Sequence, residues 1–207
     1  ITCFADMYFH PKAVAEAALA CGMRASVGLV TLDFPSAYAS DADDYLSKGL
    51  AVRDTLQDEP LLSFCLAPHA PYTASDQTFS RVVTLAEQCD LPIHTHLHET
   101  RQEIDESIAR YGVRPIERLH RLGVLCPNLI AGHGGHLLPQ EMALLARHSS
   151  TVSHCPSSNL KLASGVAPVA EMLAHGVNVG LGTDSSASNN RLDLWWEMRL
   201  AALVAKG

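Results

Sequence analysis

Short apolar runs alternate with amphipathic stretches along the whole chain, and that alternation limits the available folds more than any other feature. Strand-like runs fall at 2–7, 24–30, 61–67, 92–97, 129–132, 151–155 and 177–182. Helix-like segments lie between them, at 43–56, 75–89, 103–111 with 115–122, 139–148, 166–175 and 190–206. An earlier one opens with Pro11 and closes before Gly22. Proline suits a first helical turn, which has no use for its missing N–H, and glycine tolerates the left-handed turn that ends a helix. Strands that alternate with helices build βαβ units and a parallel sheet. No linker, low-complexity tract or repeat divides the chain, so residues 1–207 read as one domain.

Doubly wound sheets and (β/α)8 barrels both fit this pattern. The position of the polar residues separates them. His69, His96, Glu99, His133, His154 and Asp184 all fall at or just past the C-terminal ends of strand-like runs, and they come from five different runs. A barrel gathers such ends into a ring at one face, whereas an open sheet gathers them only where its strand order reverses. A barrel is therefore expected, with seven βα units present and one before Ile1, because Ile1 to Asp6 reads as the middle of a strand.

Composition narrows the function. Hydrophobic residues make up 47% and charged residues 18%, enough to bury a core rather than remain disordered. The net charge is −7 and no basic run stands out, which argues against nucleic acid and anionic membrane surfaces as partners. No apolar stretch reaches the roughly 18 residues that span a bilayer. Six cysteines, none in a Cys-x-x-Cys pair and most in apolar runs, read as buried reduced thiols of a cytoplasmic protein.

The eleven histidines cluster. In Pro92-Ile93-His94-Thr95-His96-Leu97-His98-Glu99, the strand period of two puts His94, His96 and His98 on one face, with Glu99 where strand gives way to loop. Imidazoles on an inward face are costly unless something binds them. Ala131-Gly132-His133-Gly134-Gly135 brings His133 to a strand tip, and its glycines let backbone pass close to a ligand. Gly182-Thr183-Asp184-Ser185 ends a strand on an aspartate; Ser188 or Asn189 is the better cap for a helix at Asn190, which leaves Asp184 free as ligand or base. His69 and His154 sit at strand ends in proline-stiffened loops and suit substrate contact, with structural support equally open for His154. Histidines with one aspartate suit zinc or another borderline transition metal. Neither a phosphate-binding glycine loop nor a Gly-x-Ser-x-Gly elbow is present.

These motifs resemble the amidohydrolase superfamily. The resemblance rests on His96-Leu97-His98-Glu99-Thr100, Ala131-Gly132-His133, Ser153-His154-Cys155-Pro156-Ser157-Ser158-Asn159, and Gly182-Thr183-Asp184 with Ala187-Ser188-Asn189-Asn190. Within it the chain is most similar to 5′-methylthioadenosine/S-adenosylhomocysteine deaminases, whose pattern Cys3 to Phe9 and Glu197 to Leu203 also resemble. The resemblance implies a (β/α)8 barrel of the metal-dependent amidohydrolase type and a cyclic-amidine deaminase. It implies His96 and Asp184 as ligands of one divalent metal, zinc ahead of iron or nickel. Asp184 would also take a proton from the attacking water, His133 would orient that water or the developing oxyanion, and Glu99 would protonate the purine ring nitrogen. His69, Glu99, His154 and Ser188 would contact a small-molecule nucleoside.

The implied reaction is attack on C6 of an adenine ring and loss of ammonia to give the inosine analogue. The family's His-x-His metal pair belongs to a strand that should precede Ile1, and His10-Pro11-Lys12 stands where an acidic ribose-binding residue is often found. The run 61–67 holds no lysine to carry a binuclear centre. A guanine deaminase, an s-triazine hydrolase and an inactive truncated fragment are the alternatives, and homo-oligomerisation is open.

Overall fold

The computed structural model describes residues 1–206, which hold seven strands and nine helices. They form two compact units, Ile1–Thr95 and His96–Gly207. In the first, β1 (Cys3–Ala5), β2 (Arg24–Thr31) and β3 (Leu62–Pro68) are parallel neighbours in that order, and β4 (Ile93–Leu97) pairs with β3 through Leu66 and Ile93. The helices α1 (Pro11–Cys21), α2 (Ala42–Leu56) and α3 (Asp76–Cys89) follow β1, β2 and β3. β2 is buried along nearly its whole length, as a parallel strand covered on both faces must be.

Local signals account for the helix ends. Pro11 opens α1, and Gly22 closes it at φ 65, donating its N–H to Ala18 and Leu19. Asp41 caps α2 by accepting the Asp44 N–H at 2.9 Å, and Ser75 caps α3 by accepting that of Thr78. The Asp33 carboxylate holds the start of α3 from the end of β2, accepting from Ser75 N at 2.7 Å and from the Thr78 hydroxyl at 2.5 Å. Val27, Leu29, Leu46, Leu66, Phe79 and Val82 form the core of this unit, each at most 1% exposed. Each large side chain buried this way contributes about 1.5–3 kcal/mol.

In the second unit α4 (Arg101–Tyr111) and α5 (Pro115–Arg121) follow the end of β4. The strands β5 (Leu129–His133), β6 (Thr151–His154) and β7 (Asn178–Leu181) are parallel neighbours in chain order. α6 (Pro139–Arg147) follows β5, α7 (Pro156–Lys161) and α8 (Val169–Ala174) follow β6, and α9 (Leu194–Val204) follows β7. Leu119, Leu129, Met142, Leu145, Val152 and Met172 are fully buried here.

Three expectations need correction. All seven strands form, but α9 begins at Leu194 and not at Asn190. Its cap is Asp193, which accepts the Trp195 N–H at 3.0 Å, because Asn189 is engaged elsewhere. α7, a single turn and a half between β6 and α8, was not expected; Pro156 at its first position is the signal. The cysteines are all free, but only Cys65 and Cys155 are buried; Cys3 and Cys21 are exposed, since a three-residue β1 and the last turn of α1 lie at the surface.

Candidate active site at the strand tips of the second unit

Four of the expected site residues stand within a short reach of one another because parallel strands deliver their ends to one side. His96 is the penultimate residue of β4, His133 the last of β5, His154 the last of β6, and Asp184 lies three residues past β7. The His96 and His133 rings stack at 5.3 Å between centroids and 18° between planes. Glu99, two residues past β4, brings a carboxylate oxygen to 3.7 Å from His133 Nε2, beyond hydrogen-bond reach but close enough to attract a protonated ring. Its other oxygen accepts from the Ser164 hydroxyl at 3.3 Å.

His98 does not share the face of His96. The chain turns left-handed at His98, φ 54, so the period of two ends at Leu97 and the ring swings into the protein, fully buried. There His98 Nε2 accepts the Ile116 N–H at 3.2 Å. Burial pushes its pKa down to about 4, against the pull of the Glu141 carboxylate. Glu141 is itself paired with Arg114, whose Nε and Nη2 reach its two oxygens at 2.6 and 3.0 Å.

His133 is 2% exposed, at φ 73, and its Nδ1 lies 2.8 Å from Asn159 Oδ1 on α7. An amide oxygen only accepts, so Nδ1 carries the proton and Nε2 presents its lone pair. Asp184, at φ 57, accepts from the Ser158 hydroxyl at 2.5 Å and from the Ser185 N–H at 2.7 Å. Burial works to raise the Asp184 pKa, but the Ser158 and Ser188 hydroxyls and the Ser185 amide outweigh it and hold the carboxyl below its ordinary value. Asp184 is therefore ionised at neutral pH, as a ligand or base must be.

His154 is 1% exposed and neither ring nitrogen has a hydrogen-bond partner among the described residues. Burial lowers its pKa, opposed by Glu197. Glu197 is fully buried: Oε2 accepts the Ser157 N–H at 3.0 Å and Oε1 the Asn189 side-chain amide at 2.8 Å, and that amide also donates to Thr183 O. α9 thus ties the first turn of α7 to the loop that carries Asp184 and Ser188. Ser188, 4% exposed, lies in that loop. His69 belongs to the first unit, directly after β3, with Nδ1 3.1 Å from the Thr73 hydroxyl and its ring edge-on to Tyr72.

Ser158, Asn159, Glu103, Ser164 and Glu197 escaped the sequence reading as functional residues. Ser158, Asn159 and Glu197 lie inside the motifs that carry the resemblance, and Thr100-x-x-Glu103 has the spacing of a helix capping box. For a metal, His96 and Asp184 supply an imidazole and an ionised carboxylate, donors that zinc accepts. Among the described residues no group of three or more histidine, cysteine, aspartate or glutamate side chains is gathered to hold an ion, so these two donors fit in kind and make no complete set by themselves.

Comparison with known proteins bears on the whole chain. The model of the Amidohydrolase family matches residues 1–206. A 5-methylthioadenosine/S-adenosylhomocysteine deaminase of Saccharophagus degradans is 48% identical over 206 residues, 100% of this chain and 46% of the relative. A 5'-deoxyadenosine deaminase of Methanothrix thermoacetophila is 40% identical over 100% of this chain and 48% of its own length. The crystal structure of an adenosine deaminase from Xanthomonas campestris, with bound zinc, superposes with a TM-score of 0.96 at 47% identity, covering 99% of this chain and 47% of that one. The chain spans about half the length of the relatives it matches. The fold is thus α/β, seven βα units of a (β/α)8 barrel of the metal-dependent amidohydrolase type.

Proposed function

The chain belongs to the amidohydrolase family, and on that premise we propose that the whole protein is a metal-dependent aminohydrolase. Its substrate is an adenosine-like nucleoside, 5′-methylthioadenosine or S-adenosylhomocysteine, taken with water to the inosine analogue and ammonia. The observation that carries this reading is the approach of Glu99 to His133 beside His96, with His96 and Glu99 brought by the tip of β4 and its loop and His133 by the tip of β5. Relatives named for deamination of such nucleosides support the substrate class.

His96 and Asp184 hold the metal together with donors from elsewhere in the protein; zinc is the first choice and iron or nickel the others. When bound, such an ion makes water reactive at neutral pH. Asp184, ionised, takes the proton that the attacking water gives up as its oxygen bonds to C6 of the purine. His133 Nε2, with its lone pair free of the Nδ1 proton, accepts a hydrogen bond from that water and aims it. Glu99, in its acid form, protonates the adjacent ring nitrogen, which draws electrons from C6; the proton held by Asp184 then passes to the amino group, the C6–N bond breaks and ammonia leaves, and the remaining hydroxyl proton returns to Glu99 as the C6 carbonyl forms. His154 and Ser188 contact the substrate. Free thiols throughout fit a reducing, cytoplasmic setting. Among the described residues no helix is long and apolar enough to cross a membrane.

The test uses the full-length protein, with elemental analysis alongside ammonia release from methylthioadenosine, S-adenosylhomocysteine, guanine and a chlorotriazine. One metal per chain and turnover of the first two are expected, both lost in His96→Ala and Asp184→Ala. Metal content and turnover that survive these changes would overturn the site, and preference for guanine or the triazine would overturn the substrate.

A further inference from the structure

Glu103 has no part in the chemistry above, yet both of its carboxylate oxygens are committed to the turn that carries Glu99. It is 3% exposed, at the third position of α4, where Thr100 already caps the helix by accepting the Glu103 N–H at 3.1 Å. A glutamate there ordinarily reaches back to the amide of the capping residue itself. Glu103 reaches further: Oε1 accepts the His98 N–H at 2.9 Å and Oε2 the Glu99 N–H at 2.8 Å. The turn they span is left-handed at His98, and backbone passes close on its other side, since a side chain on Gly135 would sit 3.4 Å from the His98 and Glu99 carbonyl oxygens.

We propose that Glu103 is a positioning residue, gripping the His98 and Glu99 amides so that the Glu99 carboxyl is aimed at its proton acceptor. The role rests on the assignment of Glu99 made above. A helix that needed only a cap would be served by Thr100, and burying a carboxylate is expensive without a return. Two successive N–H groups fix both peptide planes that flank His98, and with them the direction in which the chain enters Glu99, which a single bond does not. Release of those planes moves Glu99, and a misplacement of roughly 1 Å costs a reaction on the order of a hundredfold.

The full-length, metal-loaded protein is compared with Glu103→Ala, Glu103→Gln and, as a helix-cap control in the first unit, Asp41→Ala. For Glu103→Ala the expected result is a kcat about a hundredfold lower with KM within about threefold and metal content unchanged. Glu103→Gln keeps one acceptor and turns an NH2 toward the other amide, so its kcat falls between. Asp41→Ala lowers the melting temperature and leaves kcat within about twofold. Amide hydrogen exchange at His98 and Glu99 is followed in the metal-free proteins and should quicken at least about tenfold in Glu103→Ala alone, the loss of about 1.4 kcal/mol of protection. A Glu103→Ala kcat within twofold of wild type, a matching kcat loss in Asp41→Ala, or unchanged exchange would each overturn the proposal. Should the wild type release no ammonia, the functional reading fails on its own and the exchange measurement decides the role of Glu103.

Discussion

Asn159→Ala is the perturbation that bears most directly on His133. Asn159 is 1% exposed and its Oδ1 accepts from His133 Nδ1 at 2.8 Å, so removal leaves a buried N–H facing no acceptor. An orphaned buried donor costs about 1–3 kcal/mol. The ring can avoid that cost by moving its proton to Nε2, and that is the tautomer that can no longer accept from water. If the whole cost falls on the reactive arrangement, kcat drops between about fivefold and 150-fold at 1.4 kcal/mol per factor of ten. Asn159→Asp keeps an acceptor in place and retains more activity than Asn159→Ala. The assay is steady-state ammonia release by the full-length protein, with nitrogen-15 NMR of the histidine rings. The wild type should show a proton on His133 Nδ1, and Asn159→Ala a mixture. A kcat within twofold of wild type, with the same tautomer in both proteins, would refute the reasoning.

Burial, opposed by the Tyr8 amide, raises the Asp6 pKa, and Asp6 Oδ2 has no hydrogen-bond partner among the described residues. A folded-state pKa above the unfolded value of 3.8 means that stability is lost as pH rises from there through the folded pKa. Asp6→Asn should therefore gain stability over wild type at pH 7 and gain less at pH 4, measured by chemical denaturation; an equal difference at both would contradict this. Burial pushes the Cys65 and Cys155 thiols up to about 12, whereas Cys3 and Cys21 are exposed. Iodoacetamide at pH 8 should mark Cys3 and Cys21 in the native protein and the buried pair only after unfolding; peptide masses that show all four labelled together would contradict the burial.

β2 and β3 were legible because parallel strands buried on both faces are written as continuous apolar runs, the other strands because short apolar runs alternate with helical segments, and the tips carrying His69, His96, His133, His154 and Asp184 follow from where those runs stop. What could not be read was anything set by backbone direction at the tips. His94, His96 and His98 look equivalent in a pattern of period two, and only the left-handed turn at His98 separates them. Ser188 and Asn189 have the composition of a helix cap, but Asn189 bridges Thr183 and Glu197, and the cap falls to Asp193. Glu197, Asn159 and Glu103 act through residues distant in sequence or through turns, and no periodicity announces such a partner.

Three residues at the candidate site sit where L-amino acids are disfavoured: His98 at φ 54, His133 at φ 73 and Asp184 at φ 57. Glycine at each would relieve about 1–2 kcal/mol of backbone strain. Natural selection and the protein engineer therefore face the same exchange, since the stabilising substitution at His133 or Asp184 removes a side chain to which the proposed reaction assigns a role. Ser149 at φ 54 and Ala163 at φ 57 carry the same backbone strain without a reactive side chain. Strain relief by glycine belongs at such positions, Leu192 at φ 48 among them, and the tip residues keep theirs for the side chains the proposed reaction uses.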